Sequence, residues 1–152
     1  MDVNRMIELV EALAEAKSRQ DVPAAVRLFH PEMVLEAPAF GVAAHGLAEN
    51  EQALNGFFVS FPDYAVTLDG HAHSAGTLVC WGTARMTPAE GWLGLAPHRR
   101  PVQLPVVLRF TFAGDRIASE WFFFDLATLA ARSGLSADAV LDRLGRTESR
   151  AA

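Results

Sequence analysis

The chain is short of the residues that would commit it to several kinds of chemistry. It has one cysteine, Cys80, so no disulfide can close within the chain, and a reducing compartment is expected. No neighbour in sequence would activate that thiol, which reads as a small buried hydrophobe. The only basic pair is Arg99-Arg100, and the formal net charge is -5. Nucleic acid and anionic membrane are therefore not expected as partners. No apolar run reaches transmembrane length. The N-terminal stretch MDVNRMIELVEALAEAK is amphipathic and acidic, with neither the apolar core nor the cleavage site of a signal peptide, and a cytoplasmic location is expected. There is no glycine-rich phosphate loop, no Ser-His-Asp ordering and no cofactor motif, which counts against nucleotide or flavin chemistry, and no cofactor is expected.

What the chain has in quantity is large apolar side chains. Half of its 152 residues are hydrophobic, including ten Phe and three Trp, enough for one domain with a substantial core. A single domain over 1–144 with a flexible tail over 145–152 is expected. Met6, Leu9, Val10 and Leu13 fall at helical spacing behind Asp2, predicting a first helix to about residue 19. Asp21 and Pro23 open a second helix that His30-Pro31 ends. A short strand is predicted over 33–37, a loop over 38–48 and a third helix over 49–61. Strands follow at 64–70, 77–86, 102–113 and 117–125, with Gly114-Asp115 as a hairpin turn. Short helices are predicted over 126–132 and 137–144.

The last strand organises the chain. Ile117-Ala118-Ser119-Glu120-Trp121-Phe122-Phe123-Phe124-Asp125 carries large apolar groups on both faces, so both faces are expected to be covered. Helices followed by a run of antiparallel strands give an α+β fold: a cone-shaped barrel, its curved antiparallel sheet wrapped around the N-terminal helices, with an apolar pocket at the open end.

Several strings, in order, resemble the nuclear transport factor 2-like superfamily and, within it, the SnoaL-like polyketide cyclase branch. They are Phe61-Pro62-Asp63, Leu93-Gly94-Leu95-Ala96-Pro97, and Gly114-Asp115-Arg116-Ile117 with Glu120-Trp121 and Asp125 leading to Gly134. The resemblance spans roughly residues 3–135 and implies a cyclase or isomerase. It also implies an acid directly after the Trp of the last strand and a His on the preceding strand, where this chain has Phe122 and Leu108. Limonene epoxide hydrolase, a relative on this fold, implies an Arg-x-Asp pair where Arg85-Met86-Thr87 stands. Ketosteroid isomerase implies a Tyr in the first helix, whereas the only Tyr here is Tyr64.

The polar candidates for acid-base work are Glu120, Asp125, Glu36, His45 and His98. Glu120 either faces an aromatic pocket, where desolvation suits it to proton transfer, or faces outward to pair with Arg109 or Arg85. Asp125 is an acid at the pocket mouth or the N-cap of the next helix. Glu36 faces pocket or solvent, and His45 and His98 sit in loops expected to ring the mouth. His71-x-His73 could begin a metal site but has no third ligand fixed by spacing, so no metal is expected. Phe40, Phe57, Phe58, Phe61, Met86, Trp92, Leu108, Phe110 and Phe122 are expected to line a pocket for a flat, apolar ligand. Trp121, Phe123, Val107 and Val79, on the other face, are expected to form a homodimer interface. The leading expectation is a cofactor-independent cyclase or isomerase acting by proton transfer on an apolar, carbonyl-bearing small molecule. The alternatives are a non-catalytic binding or accessory domain and an epoxide hydrolase.

Overall fold

In the computed structural model, which describes residues 1–151 and their side chains as far as Gly145, an Asp2 carboxylate accepts from the Arg5 backbone N–H at 3.1 Å and starts helix α1, Val3–Ser18. Most of the expected 145–152 tail thus lies outside the described side chains. Asp21 caps the one-turn helix α2, Val22–Val26, through the Ala24 N–H at 3.0 Å. The chain then turns to strand sooner than expected. Strand β1 runs Phe29–Ala37 and takes in His30-Pro31, because the buried Phe29 already pairs with Ile117. Pro31 is accommodated where the β1 register shifts between Phe29 and Val34.

The segment expected to be a loop contains strand β2, Val42–His45, paired antiparallel with β1. Helix α3, Gly46–Ser60, follows at once and is tied to β1 by Asn50, whose fully buried amide donates to Met33 O at 3.1 Å and to Gly46 O at 2.7 Å. Strands β3 (Ala65–Ser74), β4 (Thr77–Arg85), β5 (Gln103–Ala113) and β6 (Arg116–Phe123) form the rest of the sheet. Helices α4, Leu126–Arg132, and α5, Ala137–Ala151, complete the chain. No helix among the described residues is long and apolar enough to cross a membrane.

The six strands are ordered β2-β1-β6-β5-β4-β3. This is the expected curved α+β sheet over N-terminal helices, with two differences in detail. The β1–β6 pair is parallel, so the sheet is mixed. The sheet is open rather than closed, with β2 and β3 at its edges. Curvature comes from register shifts, between Leu68 and Gly70 against β4, and between Thr111 and Phe112 against β6. Gly82 permits the first of these: a Cβ there would lie 1.9 Å from the Thr67 carbonyl oxygen.

The concave face holds the core. Leu9, Val10 and Leu13 of α1 join Leu78, Leu104, Phe110 and Ile117 in one buried cluster. Each such side chain contributes roughly 1.5–3 kcal/mol through burial. The convex face is only partly covered. Phe123 is 38% exposed, and Trp121 is roofed by the Arg109 guanidinium 3.6 Å above its ring.

Candidate active site

The buried stripe of α1 does not end at Leu13. It continues through Ala16 to Lys17, which keeps helical phase with Val10 and Leu13 and so points into the apolar interior. A lone ammonium there needs a buried partner. Glu120 of β6 supplies it: Lys17 Nζ lies 2.6 Å from both Glu120 carboxylate oxygens, and the two side chains are 9% and 1% exposed. A pair this close strengthens both groups' hold on their geometry, since removing either would leave a charge stranded in the core.

Tyr64 completes the polar group. It sits just after α3, where its backbone N–H donates to Phe61 O at 3.1 Å and its carbonyl accepts from Gln20 Nε2 at 2.6 Å. Its ring packs edge-on to Phe57 at 5.0 Å and to Phe122 at 6.3 Å. Burial, and then the negative charge of Glu120, push its phenol well above the usual range, so it stays a neutral hydrogen-bond donor.

Lys17, Glu120 and Tyr64 share the wall of a cavity of about 440 Å³. The remaining wall is mostly apolar, with Phe40, Phe57, Phe61, Trp92 and Phe122 among its members. Phe40 links the layers, stacking on Phe61 at 5.7 Å and meeting Phe124 at 4.9 Å. The volume and the ratio of apolar to polar groups suit a small aromatic or polycyclic ligand with few polar atoms.

Of the polar candidates named from sequence, Glu120 alone borders this cavity. Neither arginine considered as its partner reaches it: Arg109 stacks on Trp121, and Arg85 lies 3.6 Å from Asp63. Glu36 is half-buried on the opposite face of β1 from Leu35 and Ala37, which do line the cavity, and its register partner is Trp121. Asp125 is exposed at the N-cap position of α4, where a 2.5 Å hydrogen bond from Thr128 Oγ1 holds its carboxyl below the usual carboxylate range. His45 is exposed ahead of α3, its backbone N–H donating to Glu49 Oε2 at 2.7 Å. His98 is exposed as well, its Nδ1 accepting from the Arg100 N–H at 3.0 Å. His71 and His73 are exposed, and no group of three or more metal-ligating side chains occurs among the described residues.

The apolar set divides in the same way. Phe40, Phe57, Phe61, Trp92 and Phe122 line the cavity. Phe58 packs against Phe57 and Tyr64 outside the lining, while Met86, Leu108 and Phe110 are taken up by the core. Besides Tyr64, the candidates named from sequence leave out Lys17. Its signal was a single charged residue in phase with a clean apolar stripe.

Residues 7–132 match the family described as SnoaL-like polyketide cyclase. No curated protein matches the chain. Among solved structures, a protein with a ketosteroid isomerase-like fold from Catenulispora acidiphila DSM 44928, in complex with trimethylamine, is 20% identical, with a TM-score of 0.76 over 86% of this chain and 95% of that one. A protein from Jannaschia sp. CCS1, proposed to be a SnoaL-like polyketide cyclase, is 17% identical, with a TM-score of 0.75 over 86% and 92%. IdmH from Streptomyces antibioticus, proposed to be a polyketide cyclase, is 20% identical, with a TM-score of 0.72 over 84% and 97%. At these identities the likeness is one of fold.

Proposed function

The chain belongs to the SnoaL-like polyketide cyclase family, and from that premise we propose that it is a cofactor-independent cyclase or isomerase moving a proton on an apolar, carbonyl-bearing, polyketide-like small molecule. The observation that carries this reading is the Glu120 carboxylate, buried in the wall of an apolar cavity and hydrogen-bonded to Lys17 through both oxygens. Glu120 takes a proton from the carbon next to the ligand carbonyl. The Lys17 ammonium and the Tyr64 hydroxyl stand on the same wall and offer donors to the developing enolate oxygen.

The family resemblance implies an acid at the position of Phe122, and here that side chain lines the cavity as an aromatic ring. Glu120 stands two residues earlier on the same face of β6, so one pleat repeat restores a carboxylate to the cavity. The His position is Leu108, a core residue, and on this reading Lys17 supplies a cationic group from α1 instead. The aromatic wall accounts for the choice of a flat apolar ligand.

The outer sheet face supports association into a homodimer. Trp81, Val107 and Phe123 are 44%, 42% and 38% exposed and lie side by side on β4, β5 and β6. Such a row of large apolar groups is the kind of surface a second copy covers.

The test is deuterium exchange at the α-protons of an apolar aryl ketone such as 2-acetylnaphthalene, followed by proton NMR. Wild-type protein accelerates exchange, and Glu120→Gln slows it by at least 10²-fold, the usual contribution of a positioned base. Exchange no faster than in buffer with either protein would assign the cavity to binding without catalysis, and equal acceleration by both would remove Glu120 as the base.

A further inference from the structure

We infer that Lys17 is a nucleophilic amine that forms an iminium with the carbonyl carbon of a ligand held in the cavity. This covalent activity rests on reading the cavity as a site for carbonyl compounds and goes beyond proton transfer.

The chain contains twelve arginines and one lysine. Where a cation has only to meet a carboxylate at the surface, it is arginine: Arg5 with Asp115, Arg19 with Glu15, Arg85 with Asp63 and Arg99 with Glu90. The single lysine stands in the one fully buried ion pair among the described residues. If that pair only stapled α1 to β6, arginine would be the better fit, because its planar fork holds a carboxylate through two parallel bonds. A guanidinium keeps its protons and does not attack carbon. A primary amine does both jobs, and a lysine desolvated in an apolar pocket is the usual amine nucleophile towards carbonyl groups.

Lys17 and Glu120 both border the cavity, and the two carboxylate oxygens are the only hydrogen-bond partners of Nζ among the described residues. The amine therefore meets an incoming carbonyl with its base already attached. Passing a proton from ammonium to carboxylate across 2.6 Å turns two buried charges into two neutral groups, so no external base is needed.

The step balances. The Nζ lone pair forms the C–N bond, and the carbonyl π pair moves to oxygen. That oxygen takes up a proton, and nitrogen gives one up through Glu120, leaving a neutral carbinolamine. Protonation of its hydroxyl by the Glu120 acid lets the C–O bond break, the electron pair leaving with water, while the nitrogen lone pair forms C=N. The products are water, an iminium cation on Lys17 and the Glu120 carboxylate. One cation and one anion remain, so the cavity carries the same charge as before. The carboxylate is then free to remove the α-proton, and the electrons pass into the iminium to give an enamine.

The experiment uses the full-length protein with 2-naphthaldehyde, with and without sodium borohydride, followed by peptide mass mapping. With no other lysine present, the competing amine is that of Met1. The expected result is a borohydride-dependent secondary amine on the Lys17 peptide. It should be blocked by excess 2-methylnaphthalene, which fills the cavity but has no carbonyl, and slowed at least tenfold in Glu120→Gln. A 1,3-diketone, benzoylacetone, should give a new ultraviolet band from its conjugated adduct in wild type and none in Lys17→Arg. Calorimetric binding of 2-naphthaldehyde with label confined to Met1 would overturn the iminium while leaving the proton-transfer reading intact. Neither binding nor label, together with no α-proton exchange, would overturn both.

Discussion

Ile117 and Glu120 face the same side of β6 although they are three residues apart, and both are almost completely buried. A regular strand would send them to opposite faces. The register accounts for the difference: Ile117 pairs with Phe112 and Ser119 with Thr111, so Ala118 is one residue more than β5 can match. Deleting Ala118 should straighten the strand and force either Ile117 or Glu120 outward. The expected outcome is a loss of at least 3 kcal/mol in urea unfolding, the order found for large core lesions. Stability equal to wild type would show that the extra residue is not what aims Glu120 inward.

Lys17 and Glu120 should be strongly interdependent for stability. Lys17→Met strands a carboxylate in the core and should cost about 3–5 kcal/mol. The double variant Lys17→Met with Glu120→Leu removes both charges and should recover most of that loss. Urea midpoints for the four proteins of the cycle give the coupling. Additive single effects would mean that the two groups do not act as a pair.

How far the site was legible in the sequence follows from the same residues. The aromatic run of β6 and the helical stripe of α1 each follow from periodicity, which is local, and they led to a curved sheet over N-terminal helices. The parallel pairing of β1 with β6 joins segments that sit far apart in the chain, and no local pattern encodes it. The face chosen by Glu120 depends on the bulge at Ala118, which alternation alone hides. Lys17 was missed because it ends a stripe that is already complete without it. Among 12 arginines it is nevertheless the chain's only lysine, and its phase with Val10 and Leu13 was visible.

Alkaline pH should weaken the fold through Tyr64 and Cys80. Burial raises the Tyr64 phenol far above its usual range and pushes the Cys80 thiol up to about 11. A group with a raised pKa in the folded state leaves stability intact below its unfolded pKa. Stability is then lost as pH rises, because the unfolded chain gives up the proton first. Stability should hold to about pH 8.5, where an unfolded thiol begins to ionise, and decline more steeply above about pH 10, where an unfolded phenol follows. Tyr64→Phe should flatten the upper part of that decline. Urea unfolding from pH 7 to 11 measures both, and an unchanged slope in Tyr64→Phe would remove Tyr64 from the account.

The outer sheet face is expected to hold two copies together. Val107 lies between Trp81 and Phe123 in the registers of β5 with β4 and β6. Gly70 makes room for the Trp81 indole, since a Cβ there would lie 2.5 Å from the ring. Val107→Lys puts a charge at the centre of this patch, on a residue that does not line the cavity. In sedimentation, wild type should run as a dimer and the variant as a monomer with unchanged far-ultraviolet dichroism. A monomeric wild type would leave the patch unpartnered.

Part of the cavity wall comes from a helix that lies outside the family match, which ends at residue 132. Val140 anchors α5 in the core, and Leu144, one helical turn later, reaches the cavity wall, to which Leu93 also belongs. Leu93 sits in the short turn Trp92–Gly94 with a φ of 53°, a conformation costly for a branched side chain and held between Gly91 and Gly94, both also at positive φ. A strained turn and a helix beyond the family match thus both contribute to the wall, which makes Leu144 a natural determinant of ligand size. Leu144→Ala should improve binding of a three-ring ketone, 2-acetylanthracene, relative to 2-acetylnaphthalene. Leu144→Trp should reverse the preference by several-fold, because one methylene-sized change in an apolar pocket is worth about 1–3 kcal/mol. Titration calorimetry on the three proteins reads the ratio directly. Identical ratios would place the size limit deeper, at the aromatic rings around Phe57 and Phe122.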